Sequence, residues 1–174
     1  MSNLPLHPAI VHIPLGLAFV VPLVAIGLAI ALWRRRLPRG AFAVLVGLQL
    51  VLVAGGGLAM KLGERDEKTA ERVVPEKLIE EHEERAELFL GAAGAVLAGM
   101  IAVLIVPAGA AAGVAAVVAA GTLAVAGLAV RTGEAGGALV YQHGAAAAYL
   151  PAGSGGTAGG LTLPAARRAD GDDD

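Results

Sequence analysis

AIVHIPLGLAFVVPLVAIGLAIALWRRRLPR, residues 9–39, is an uncharged apolar run that ends at Trp33 and is closed by four arginines in six positions. At ~1.5 Å per residue a helix over 9–33 outreaches a ~30 Å hydrocarbon layer, and a run this long without a charge predicts a membrane span. Three further runs, about 40–60, 88–106 and 114–130, repeat the pattern. Backbone N–H and C=O groups cannot stay unpaired in lipid, so each run is expected as a helix.

Composition agrees over the whole chain. Of 174 residues, 56% are hydrophobic and only 16% charged, against roughly 25% charged in a soluble domain. Mean hydropathy is +0.71. Aromatics make up 3%, and the apolar mass with 25 Gly suits close helix packing in lipid. Cysteine is absent, which excludes disulfides, thiolate metal sites and a thiol nucleophile; serine occurs only at Ser2 and Ser154, which argues against a serine hydrolase. A net charge of −2 offers no basic face for nucleic acid.

Arg34, Arg35, Arg36 and Arg39 form the one short basic turn without an acid, and the positive-inside rule places it in the cytoplasm. Four spans then put both termini, the 61–87 segment and the end of the fourth span on the outer side of a bacterial inner membrane. The first run is too long for a secretory signal, so it is expected to stay in the mature protein. The stretch 61–77 reads as a solvated loop or surface helix, and residues 151–174, rich in Gly and closed by acids, as a flexible tail.

Within the runs only Gln49 and Thr122 are polar near mid-depth, and each is expected in an interhelical hydrogen bond. An ion-coupled exporter would need an intramembrane carboxylate, and none is present. Small residues such as Gly94, Gly99, Gly109, Gly113 and Gly55–Gly57 are candidates for close helix approach.

The four histidines, His7, His12, His82 and His143, all fall on the outer side. Around His82, residues Leu78, Ile79, Ala86 and Phe89 share its helical face, while Glu80, Glu81, Glu83, Glu84, Arg85 and Glu87 occupy the rest. His12 shares a face with Gly16 and Phe19. Gly133-Glu134-Ala135-Gly136-Gly137 reads as a break after which Ala138–Gly144 folds back over the bundle mouth. Imidazoles from separate helices facing one cavity are how helix bundles hold metals and b-type haem. The plainer alternative is that these histidines only cap helix ends.

The segments Leu6-His7-Pro8-Ala9-Ile10-Val11-His12-Ile13-Pro14-Leu15 and Gly136-Gly137-Ala138-Leu139-Val140-Tyr141-Gln142-His143-Gly144 resemble the bacterial membrane family of domain of unknown function 2231. The likeness covers about 1–150, with Ile13 where the family pattern has Phe. It implies four spans, and, because relatives are joined to Rieske or cytochrome modules, electron transfer by analogy. A redox partner is then expected as a separate protein.

The expectation is therefore an all-α integral membrane four-helix bundle over 1–150, with an extramembrane helical extension before the third span and a disordered tail. Its outer mouth would bind haem b through His12 and His82, with His7 and His143 as propionate partners or alternative ligands. Failing haem, copper or zinc would sit among His7, His12, His82 and His143, with Glu134 beside a ligand. Partners are the lipid bilayer, a separate redox protein and a second copy of the chain. The alternative is a structural membrane subunit without a cofactor.

Overall fold

The computed structural model describes residues 6–149; residues 1–5 and the segment 150–174, including the expected tail, lie outside the described residues. The described residues are helical and contain no strand. A single turn, α1 (His7–Ile10), leads into α2 (His12–Trp33), α3 (Phe42–Ala70), α4 (Glu76–Ile105) and α5 (Ala108–Tyr141). Four helices are long and apolar enough to cross a membrane, the first taking α1 and α2 together. The interruption at Val11 follows from Pro14, which has no N–H to offer the Ile10 carbonyl one turn back.

Short connections make successive long helices antiparallel, and α2, α3, α4 and α5 each pack against two neighbours around a square. The inward faces of α2 and α5 carry mostly small side chains, and those of α3 and α4 bring larger ones such as Phe42, Leu45, Leu52, Phe89 and Met100 against them. In α2 the inward residues are Pro14, Ala18, Val21, Pro22, Ala25 and Ala29, whereas Phe19, Leu23, Ile30 and Trp33 point out. Only 22–33% of the residues in the most apolar stretch of each helix are buried, so most of the large apolar surface has no protein partner in a single chain. Towards the arginine end, Phe42, Leu45, Met100 and Val103 pack with Ala25 and Ala115; towards the histidine end, Leu52 and Phe89 pack with Ala18, Ala93, Val125 and Ala129.

Helices α4 and α5 interlock through a reciprocal pair. A side-chain carbon on Gly99 would stand 2.9 Å from a Val118 methyl, and one on Gly121 would stand 3.0 Å from a Val96 methyl. Gln49 is buried, and its amide donates to the Ala93 carbonyl of α4 at 2.8 Å, the interhelical bond expected of it. Thr122 instead donates to Ala119 within its own helix at 2.6 Å. That bond satisfies a hydroxyl without a partner helix.

The expected break at Gly133–Gly137 is absent, since α5 runs without interruption to Tyr141. Tertiary contact along α4 outweighs the ~1 kcal/mol that each helical glycine costs relative to alanine. The chain turns back only at Gly144, whose φ of 72° suits glycine, and a 3₁₀ turn at Ala145–Tyr149 then packs on α3 and α5. Residues 61–70 continue α3, and the charged extension before the third apolar run is the first part of α4.

Candidate functional site

At the end of the bundle opposite the arginines, all five helices, α1 to α5, line a cavity of about 40 Å³. Its walls include His7, Pro14, Met60, His82, Phe89 and Thr132. Apart from the two imidazoles and the Thr132 hydroxyl, the named side chains are apolar.

His7 and His82 meet here with ring centroids 6.3 Å apart and planes at 89°. His7 Nδ1 is 2.7 Å from the Ala59 carbonyl oxygen. A carbonyl only accepts, so Nδ1 carries the proton and donates, and a neutral His7 keeps its lone pair on Nε2. His82 Nδ1 is buried and has no hydrogen-bond partner. One glycine gives the His82 ring room: a side-chain carbon on Gly136 would lie 3.0 Å from His82 Cε1, whereas one on Gly63 would make only ordinary contact with His7 Nδ1 at 3.4 Å. Beside His82, the Thr132 hydroxyl donates to the Arg85 carbonyl at 3.1 Å and fastens α5 to α4.

His82 sits in the charged opening turns of α4, ahead of the apolar stretch that begins near Leu88. Burial pushes its pKa below the ordinary imidazole value, and the charge His7 can carry adds to this; the nearby Thr132 backbone opposes it, and Arg85 lowers it further. His82 is thus held towards its neutral, ligating form.

The inward stripe expected around His82 is present, with Ile79 and Phe89 buried and Glu80, Glu81, Glu84, Arg85 and Glu87 exposed. Glu83 departs from it. It is partly buried, and desolvation, then Glu67 and Glu64 of α3, then Glu87 and Glu80 of α4, raise its pKa. The other two histidines are placed elsewhere. His12 is exposed on the outer side of α2 together with Gly16 and Phe19, and it does not line the cavity. His143 is exposed in the turn after α5, and Glu134 is exposed on α5.

Among the described residues no three His, Cys, Asp or Glu side chains gather as a metal-binding group. The third side chain at this site that can ligate is the thioether of Met60, which the sequence reading passed over. Its signal was position: Met60 lies at the histidine end of the second apolar run, one residue from the Ala59 carbonyl that His7 engages. The chain matches no family model, no curated protein and no solved structure.

Proposed function

We propose that this is a multi-pass protein of the bacterial inner membrane that binds one copper ion at the His7–His82 mouth and passes single electrons to or from a separate carrier protein. The observation that carries it is the buried, unpartnered Nδ1 of His82 beside a second imidazole, the two rings lining one largely apolar cavity. A buried polar atom without a partner costs about 1–3 kcal/mol, which a bound ion would recover. Metal–imidazole bonds of ~2.0–2.1 Å, with a ring radius added on each side, put two imidazoles that share an ion at a centroid spacing of roughly 6 Å. The observed 6.3 Å is of that size.

The donor set favours copper over zinc. Zinc wants three or four protein ligands of N, O or S⁻ type, whereas two imidazoles with a thioether suit copper, whose reduced form is stabilised by soft ligands. One electron interconverts Cu(II) and Cu(I) at such a site, and the donor is the one-electron carrier. Haem b is the less favoured occupant in this reading. The cavity of about 40 Å³ holds little more than a water or an ion, while organic cofactors and ligands of that size class occupy roughly 300–1,000 Å³. His12, one of the two expected axial ligands, is also on the outside. The likeness to the domain of unknown function 2231 family supports a redox role by analogy only.

One observation favours the structural reading instead. The bond from His7 to the Ala59 carbonyl pins α1 onto α3 and uses the imidazole as a helix clamp. Metal titration of the purified full chain separates the two. Under the copper reading one Cu(I) binds per chain, His7→Ala and His82→Ala abolish binding, Met60→Leu weakens it, and His12→Ala and His143→Ala leave it unchanged. If no metal binds and His7→Ala only lowers thermal stability, the clamp is the whole function of the pair.

A further inference from the structure

The arginine end carries a second concavity. Ala29, Ile30 and Trp33 of α2 and Ala112, Gly113 and Ala116 of α5 line a groove of about 460 Å³, open along one side. Trp33 is 71% exposed at its edge. The groove is apolar to its end, where the chain continues directly into Arg34, Arg35 and Arg36. All three are exposed, and no acidic residue occurs in 33–63 or in 88–133. Among the described residues the one ion pair joins Arg85 to Glu81, at the histidine end. Arg39 is engaged, its guanidinium donating to the Val106 carbonyl at the end of α4.

The backbone holds these arginines in a defined turn. The Arg36 N–H bonds back to the Ala31 carbonyl at 2.8 Å and the Arg35 N–H to Leu32 at 3.0 Å, the paired bonds that close a helix around a residue of positive φ. That residue is Arg35, at φ 54°, where glycine is the usual choice. Across the groove, the first turn of α5 has neither a side-chain cap nor an acid, so its free N–H groups add positive potential at the same end.

We propose that this groove binds an anionic phospholipid, with an acyl chain along Ala29–Trp33 and Ala112–Ala116 and the headgroup phosphate among Arg34, Arg35 and Arg36. The inference rests on the bilayer part of the function proposed above and is independent of the metal. Charge selects the occupant. A symmetric second copy seated on this groove would bring its own arginines against these three, and such like-charge contact opposes association. A zwitterionic lipid offers the same chain but neutralises its own phosphate.

Trp33 is the only tryptophan in the chain, so its fluorescence reports on this groove alone. The full chain is reconstituted in phosphatidylcholine vesicles that carry, in both leaflets, either brominated phosphatidylglycerol or brominated phosphatidylcholine at equal mole fraction. Flotation with the vesicles is a separate readout: a chain that fails to float removes the bilayer reading itself. For a chain that floats, the anionic quencher is expected to be the stronger, with a binding preference of ~5-fold or more, since one basic residue near an anionic surface is worth about that factor. Arg35→Gly, which suits the positive φ better than arginine does, keeps the turn and lowers the preference. Replacing all three arginines by glutamine abolishes it. Gly113→Leu puts bulk into the groove from a position where nothing lies within 4 Å of the first side-chain carbon, and reduces quenching by both lipids. Equal quenching by the two lipids, a preference that survives the three glutamines, or quenching that changes with protein dilution at fixed lipid composition, as a second copy would give, overturns the proposal.

Discussion

Gly136 and His82 occupy one space: a side-chain carbon on Gly136 would stand 3.0 Å from His82 Cε1, so the ring lies where a larger residue of α5 would have put its own atoms. This contact packs the imidazole of α4 against the backbone of α5 and gives a reason for glycine at position 136 inside a long helix.

Gly136→Val is therefore expected to displace His82, costing about 1–3 kcal/mol by overpacking and weakening metal binding. Gly133→Ala and Gly137→Ala are the controls. Nothing lies within 4 Å of a side-chain carbon at either position, so helix propensity alone should act and stabilise by up to about 1 kcal/mol. Thermal unfolding in detergent, with copper titration on the same samples, measures both effects. Equal behaviour of the three variants would contradict the contact.

The helix pair α4–α5 makes a similar claim through Gly99 and Val118. Gly99→Ala should destabilise by about 1–3 kcal/mol, because the Val118 methyl already stands 2.9 Å from the added carbon. Val118→Ala should recover most of that loss in the double variant, giving a coupling of about 0.5–3 kcal/mol in a mutant cycle. Simple additivity would mean that the helices do not interlock there.

Four apolar helices were readable because length and the absence of charge decide them, and the Leu78–Phe89 phase was readable because charged and apolar residues alternate around that part of α4. His12 was not. The face it shares with Gly16 and Phe19 is apolar, but so is every face of α2, and the inward one is marked by small residues, Ala18, Ala25 and Ala29, rather than by hydrophobicity. On α2, where every face is apolar, side-chain size carries the information that polarity carries in water, whereas α3 and α4 turn large residues such as Phe42 and Met100 inward. The continuity of α5 through Gly133–Gly137 was hidden for a related reason. Local propensity sees five breaker-rich positions, and only the ring of His82, 54 positions earlier in the chain, explains why Gly136 is one of them.

Acidification should destabilise the metal-free protein through His82. Its folded pKa lies below the unfolded value near 6.5, so the unfolded chain binds more protons. The stabilisation is complete above the unfolded value and is lost as pH falls through it towards the lowered folded value. Glu83 has the opposite sign. Its raised folded pKa means that at neutral pH the charged form bears a desolvation cost and then a repulsion from Glu67 and Glu64, both of which protonation relieves. Unfolding curves from pH 8 to 4 should show His82→Gln flattening the acid loss. Glu83→Gln should stabilise at pH 7, with the gain shrinking towards pH 4. A Glu83→Gln gain that does not depend on pH would show that packing, not charge, is responsible.

The orientation we propose rests on the turn at Arg34–Arg39. Four arginines without an acid next to two apolar helices should hold that end in the cytoplasm, and an even number of crossings then places both termini outside. The 61–87 segment opposes this assignment with six basic residues, but these stand among ten acids and at the end of a longer connection. The positive-inside bias acts through lysine and arginine near the ends of spans, and acids contribute little to it, so the competition is real and the four-arginine turn is the term to alter. Reporter fusions after Lys61 and at Asp174 should be active only on the outer side. Replacing Arg34, Arg35, Arg36 and Arg39 by glutamine should raise the fraction of inverted chains. Cytoplasmic reporter activity at both fusions in the unaltered protein would reverse the orientation and place the His7–His82 mouth inside the cell.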